Sequence, residues 1–194
     1  VPYKIINNPV ISPFVDINKI AYSDSKIRFV TVGSLTTHKG HERILKCLNE
    51  INNDFVYEIY GKGNQKKNLE KLTVKFKLQS KVDFKGEIPF TLENIKSPNT
   101  FYLLGSYFEG FPNAVLEALS FGVPIIAFNA PGGQNEIIVS GFNGFFASSK
   151  EDYVNQIRRS IEQKWHKKKI VKDIYHRFDE KKIALKYKDL FQNL

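Results

Sequence analysis

Thr100-Phe101-Tyr102-Leu103-Leu104-Gly105, then Ser106-Tyr107-Phe108-Glu109-Gly110-Phe111-Pro112-Asn113-Ala114-Val115-Leu116-Glu117-Ala118-Leu119-Ser120-Phe121-Gly122-Val123-Pro124, then Ile125-Ile126-Ala127-Phe128 is the stretch that decides the fold. It reads as strand, loop, helix and strand. Pro112 suits a first helical turn, where a missing N–H costs nothing. Gly122 followed by Pro124 is a helix stop. The run 124–128 is almost wholly apolar, as in a strand covered on both faces. Ala114 to Phe121 are apolar or small on every side except at Glu117, so the helix is expected to be buried. A lone carboxylate in such a helix is costly unless something binds it. Glu109 stands eight residues earlier, at the mouth of the same helix, where free N–H groups and the positive dipole end suit a phosphate.

The same alternation extends outward. Ile27 to Gly33 and Phe55 to Tyr60 are rich in β-branched and aromatic residues, and Val82-Asp83-Phe84 and Gly144 to Ala147 are shorter strands. Helical spacing links Ile44, Leu45, Leu48 and Ile51, and a Lys-rich helix follows around Leu69 and Leu72. Such a pattern predicts an α/β fold, a doubly wound parallel six-stranded Rossmann-like sheet with a helical C-terminal tail. Ligands in these folds lie beyond the carboxyl ends of the strands, where Gly33, Gly61, Gly86 and Gly105 fall. Residues 1–26, with Pro9, Pro13 and the Ser23-Asp24-Ser25 cluster, read as a linker. Residues 27–165 read as the ligand-binding domain and 166–194 as terminal helices, the last carrying Ile183, Leu185, Tyr187, Leu190 and Phe191.

The 194 residues suffice for one good core, and 42% hydrophobic with 25% charged residues is ordinary for a globular protein. No apolar run approaches the roughly 20 residues of a membrane span. The chain has no Met, its first residue included, which fits a piece of something longer. The single Cys47 lies among apolar neighbours, which suits burial in a reducing compartment. From Lys150 onward stand 13 of the 29 basic and 7 of the 20 acidic residues, so +6 of the net +9 lies in the tail. The densest patch, Trp165-His166-Lys167-Lys168-Lys169, suits a solvated face or an anionic membrane surface; nucleic acid is not expected.

Taken together, these residues resemble the donor-binding half of family 4 retaining glycosyltransferases (glycosyl transferases group 1), which have the GT-B fold. The resemblance rests on five segments in order: Val32-Gly33-Ser34-Leu35 with Lys39-Gly40; Ile59-Tyr60-Gly61-Lys62-Gly63; Val82 to Gly86; Glu109-Gly110-Phe111-Pro112-Asn113 with Glu117-Ala118; and Gly132-Gly133 with Glu136-Ile137-Ile138 and Gly141 to Phe145. It covers about residues 27–148 and the tail. It implies a half-enzyme, the other half bringing the acceptor. Ile5 to Val10 resembles the link between the halves, and the helix from about Phe178 to Leu194 the one crossing back. The isolated chain is then expected to bind donor weakly and transfer nothing.

The resemblance assigns Glu117 to the ribose hydroxyls and Glu109 to the donor sugar. Backbone N–H groups of Gly110, Phe111, Asn113 and Ala114 would meet the sugar and the distal phosphate. Lys39 would neutralise the departing diphosphate, since a fixed cation acts most where charge develops. Gly33, Ser34, Gly61 and Gly63 would line the phosphates, and Gly86, Glu87 and Ile88 the base. The family usually has Arg where this chain has Ser34, losing a bidentate phosphate grip; Lys62 is a candidate substitute. The expected partners are a UDP- or GDP-linked sugar and a glycan or lipid-linked acceptor, in surface polysaccharide or glycoconjugate synthesis. The expected setting is the cytoplasm, with contact to the inner membrane face as one reading. No Asp-x-Asp pair and no zinc spacing occurs, so neither metal nor cofactor is expected. A nicotinamide site wants Gly-x-Gly-x-x-Gly after strand one, and a P-loop wants Gly-Lys-Ser/Thr; neither is present. Rivals that remain are another GT-B enzyme, an epimerase or phosphorylase, and a basic membrane-binding module.

Overall fold

The computed structural model describes residues 6–10, 16–17, 20, 22–89, 91, 94–95 and 97–192. Residues 1–5 and Pro13 of the expected linker, and 193–194 of the expected last helix, lie outside them. All six expected strands form: β1 (Ile27–Val32), β2 (Phe55–Tyr60), β3 (Val82–Gly86), β4 (Thr100–Leu104), β5 (Ile125–Phe128) and β6 (Gly144–Ala147). Every neighbouring pair is parallel, in the order β3-β2-β1-β4-β5-β6. The helices are α1 (His41–Leu48), α2 (Lys66–Lys75), α3 (Asn113–Ser120), α4 (Gln134–Ile137), α5 (Lys150–Glu162), α6 (Lys167–Arg177) and α7 (Glu180–Gln192).

Side chains alternate across the strands and supply two cores. Phe29, Leu103 and Ile126 point to the face covered by α1, α2 and α5, with Ile44, Leu48 and Ile157; Cys47 is buried there, as expected. Val30, Tyr102, Leu104 and Ile125 point to the face covered by α3 and α6, with Leu116, Leu119, Ile170 and Ile174. Helix α6, placed with the tail by the sequence, is thus packed into the same core as α3. On α7 only Ile183 is buried, while Leu185, Tyr187 and Phe191 are exposed. The Val10 N–H donates to the Phe178 carbonyl (2.9 Å), so the linker runs beside the end of α6.

Two expectations need correction. Helix α3 is not covered all round: Asn113 and Glu117, four residues apart and so on one face, are both exposed. The costly buried carboxylates are instead Glu58, 3% exposed, and Glu109, 7% exposed. The basic patch is also less free than its sequence implies. Lys167 folds back to donate to the Pro98 carbonyl (2.5 Å) and is partly buried; burial lowers its pKa to about 8. Trp165 donates from Nε1 to the Ser160 carbonyl and packs its ring against Phe145.

Candidate active site

The strand order reverses between β1 and β4, and the loops leaving those two strands diverge. The β1–β4 ladder ends at Val30 opposite Tyr102. Beyond that pair the strands part, and buried backbone groups need other partners. Two hydroxyls provide them. Thr31 Oγ1 donates to the Leu103 carbonyl (2.7 Å), and Tyr102 Oη donates to the Val32 carbonyl (2.9 Å). Burial pushes the Tyr102 pKa up, so it stays a neutral donor. Above these residues opens a cleft of about 260 Å³.

One wall is the loop after β1. It carries Gly33, Ser34 and, past a 3₁₀ turn (Thr37–Lys39), Lys39; His41 opens α1. Gly40 (φ +62°) joins turn to helix, and a Cβ there would run into the Gly105 carbonyl. A side chain at this point would force the two walls apart. The other wall is the loop after β4 and the mouth of α3, with Ser106, Glu109, Phe111, Asn113 and Ala114. Arg43 of α1 ties the walls together. Its guanidinium donates to the carbonyls of Gly105 and Ser106, and lies between the rings of Tyr107 (4.1 Å) and Phe128 (4.0 Å).

Glu109 is held from several sides. Its N–H donates to the Pro131 carbonyl (3.1 Å), and its own carbonyl accepts from the Gly133 N–H (3.2 Å). Its Oε1 accepts from the Ser106 hydroxyl and from Lys39 Nζ, the latter at 2.7 Å. The two residues that the resemblance assigns to sugar and diphosphate therefore touch across the cleft. Asn113, at the α3 mouth, accepts from the Asn8 side chain (2.8 Å).

Seven of the fourteen expected site residues line the cleft: Gly33, Ser34, Lys39, Glu109, Phe111, Asn113 and Ala114. Gly110, Gly61, Gly63, Gly86, Glu87, Ile88 and Glu117 do not. Gly61 and Gly63 answer a structural demand as well: a Cβ on either would strike the backbone of Gly33 or Leu35. They let the β2 loop lie against the β1 loop. The Gly33 N–H donates to the Tyr60 carbonyl and the Gly61 N–H to the Gly86 carbonyl, so the three strand ends form a track leading away from the cleft. Glu87 and Ile88 are exposed at its far end. Lys62, the candidate substitute for an Arg, is exposed there beside Glu87 and does not line the cleft. Glu117 borders a separate small hollow with Pro9, Val10, Asn113 and Leu116; partial desolvation raises its pKa.

The sequence reading passed over Ser106, Arg43, Tyr102 and His41. His41 is 2% exposed, and its Nε2 lies 3.1 Å from the Ser34 carbonyl. Desolvation, opposed in part by that hydrogen bond, lowers its pKa. Its only sequence signal is a position directly after Lys39-Gly40. Among the described residues no group of His, Cys, Asp and Glu could hold a metal ion, and no helix is long and apolar enough to cross a membrane.

The geometry offers a cation, a carboxylate and a helix mouth around one cleft at a topological switch point, which suits an anionic, hydroxyl-rich ligand. An uncharacterised glycosyltransferase of Haemophilus influenzae is 31% identical over 134 residues, covering 66% of this chain and 36% of its own length. Among solved structures, the apo lipopolysaccharide outer core galactosyltransferase WaaB superposes with a TM-score of 0.84 at 24% identity, covering 98% of this chain and 56% of that one. Anabaena HepE in complex with UDP-glucose gives 0.78 at 21% identity, covering 87% of this chain and 49% of that one. The fold is that of GT-B glycosyltransferases, and the chain spans well under two thirds of each of these proteins. Residues 15–177 match the family described as glycosyl transferases group 1, and the chain belongs to that family.

Proposed function

We propose that this chain is the donor-binding part of a retaining family 4 glycosyltransferase. It holds a nucleotide diphosphate sugar, UDP- or GDP-linked, and the reaction passes a hexose-type sugar to a glycan or lipid-linked acceptor in surface polysaccharide or glycoconjugate synthesis. The observation that carries this is the pairing of Lys39 with Glu109 across the switch-point cleft. A cation that meets phosphate and a carboxylate that meets sugar hydroxyls must lie about one phosphate–sugar bond apart, and these two touch. The likeness to a lipopolysaccharide galactosyltransferase and to a protein holding UDP-glucose supports the ligand class.

In this reading the diphosphate lies between the β1 loop and the α3 mouth, drawing Lys39 from Glu109. Lys39 then stabilises the charge that grows on the leaving phosphate. Glu109, released, accepts hydrogen bonds from the sugar and orients the anomeric carbon. Glu117 accepts from the ribose hydroxyls; its exposure on α3 leaves it open to a ligand, and its raised pKa makes it a stronger acceptor. The base follows the track from Gly33 past Gly61 toward Gly86, Glu87 and Ile88. The acceptor arrives from a second half, linked through residues 1–26 and the helices of 166–194, α7 presenting its exposed apolar residues to that half. The reaction invokes no metal and is placed in the cytoplasm, at the membrane face where a lipid-linked acceptor would lie.

Calorimetry with UDP-, GDP- and ADP-linked sugars tests the reading. One series should bind, and Lys39→Met should weaken it. A folded chain that binds none of them overturns the proposal, and robust transfer by the 194 residues alone overturns the division into halves.

A further inference from the structure

We propose that His41 takes up a proton when a nucleotide diphosphate fills the cleft, and so becomes the second cation of the phosphate site. The inference rests on the donor-site reading above and adds to it a residue and a pH dependence.

The first ground is the tautomer. The Ser34 carbonyl can only accept, so His41 Nε2 carries the hydrogen of their 3.1 Å contact. Nδ1 is then a bare lone pair. The second ground is that Nδ1 is buried and has no hydrogen-bond partner. Nδ1 is therefore the ring position open to a proton, and the cost of a buried charge there is what a bound anion would offset. The third ground is the charge around it. Among the described residues lining the cleft, Lys39 is the one Lys or Arg and Glu109 the one carboxylate, and they neutralise each other. A diphosphate brings at least two negative charges, so Lys39 alone does not match it.

The groups facing the ring come from each neighbouring element. Lys39 and His38 of the 3₁₀ turn oppose its protonation. Glu109 and Tyr102 line the same cleft. On the hollow at the ring's other side stand Glu42 of its own helix and the neutral Gln65 and Asn68 beside and within α2. Burial, with Lys39 and His38 beside the ring, holds His41 below the usual histidine value against the pull of the Ser34 carbonyl. A bound diphosphate masks Lys39 and adds negative charge, and an opposite charge at close range raises a pKa by about 1–3 units. The sign follows. The bound-state pKa exceeds the free-state pKa, so binding takes up a proton. Affinity therefore climbs as pH falls through the bound-state pKa and levels off below the free-state value.

The test is calorimetry of UDP binding to the wild type and to His41→Gln in buffers of different ionisation enthalpy. Glutamine keeps an N–H for the Ser34 carbonyl and cannot titrate. The terminal phosphate of UDP itself titrates near pH ~6, so the difference between the two proteins is what counts. The wild type should take up more proton, and from about pH 8 to about pH 6 its affinity should rise roughly tenfold more than that of His41→Gln. An NMR titration of the wild-type His41 ring nitrogens, with and without UDP, needs no variant and should show the pKa rising on binding. UDP binding with the same proton uptake in both proteins, or with an unmoved His41 pKa, overturns this inference and leaves the donor site standing. A folded wild type that binds no UDP, GDP or ADP overturns the donor site and this inference with it.

Discussion

Among the described residues two carboxylates are buried, and their surroundings differ. Glu58, on β2, meets Arg28 Nη1 (3.6 Å), Lys85 Nζ (3.3 Å) and the Tyr60 hydroxyl (3.4 Å), and none of these groups borders the cleft. Glu109 meets Lys39 and Ser106, and all three line the cleft. The first is closed: its charge is answered by cations that face no cleft, each tied also to a second carboxylate, Arg28 to Asp24 (2.6 Å) and Lys85 to Asp83 (2.5 Å). The second is open: its cation can be claimed by a ligand, and the carboxylate is then left for the rest of that ligand. Burial alone therefore does not mark a functional acid. What marks it is a partner facing free space.

The comparison can be broken most forcefully at Glu58. Glu58→Gln removes the anion that Arg28 and Lys85 share, though Asp24 and Asp83 remain to them, and should cost about 2–3 kcal/mol of stability in urea denaturation, the scale for losing a buried hydrogen-bonded charge, with UDP affinity unchanged. A change in UDP affinity without loss of stability would reverse the roles of the two acids. Glu109→Gln should do the opposite. In a chain that carries the acceptor half, transfer should fall about a hundredfold, as when a positioned polar group at the reacting centre is lost. UDP affinity should rise, because Lys39 is freed; a fall would show that the pair does not compete with phosphate. Lys39→Met should weaken UDP binding by about tenfold, the value of roughly one charge-assisted contact, and should also lower the melting temperature, because Glu109 stays buried with Ser106 but without its cation. Glu117→Gln should have the smallest effect: a few-fold loss of UDP affinity, no loss for pyrophosphate, and stability within about 0.5 kcal/mol, as for other exposed positions.

Much of the fold was legible because it is written in local periodicity. All six strands fell where β-branched and aromatic runs stand, and β5 was recognisable from Ile125 to Phe128 being apolar throughout. Parallel pairing followed from the intervening helices. The site was legible in part. Lys39, Ser34 and Glu109 sit on loops whose positions follow from strand order, so they met in one cleft. The exposure of Glu117 was misjudged because a run of small and apolar neighbours hides which face of a helix looks outward. Exposure at Asn113 and Glu117 depends on what lies above α3, and that is a property of the packing. Gly61 and Gly63, read as ligand contacts, also lie where a Cβ would strike the backbone of the first strand's loop, a demand that no local pattern shows.

Residue types and their spacing thus determined the strand–helix alternation, the phosphate-suited helix mouth and the pair of acids eight residues apart. Only the tertiary structure decided which charges meet. Lys39 reaches Glu109 across 70 positions of chain, Arg43 clamps the loop after β4 from α1, and His41 turns one ring nitrogen to Ser34 while the other has no partner. Such contacts follow from sheet order and helix packing. Local sequence sets the torsions of each element, but not which distant loop lies against it.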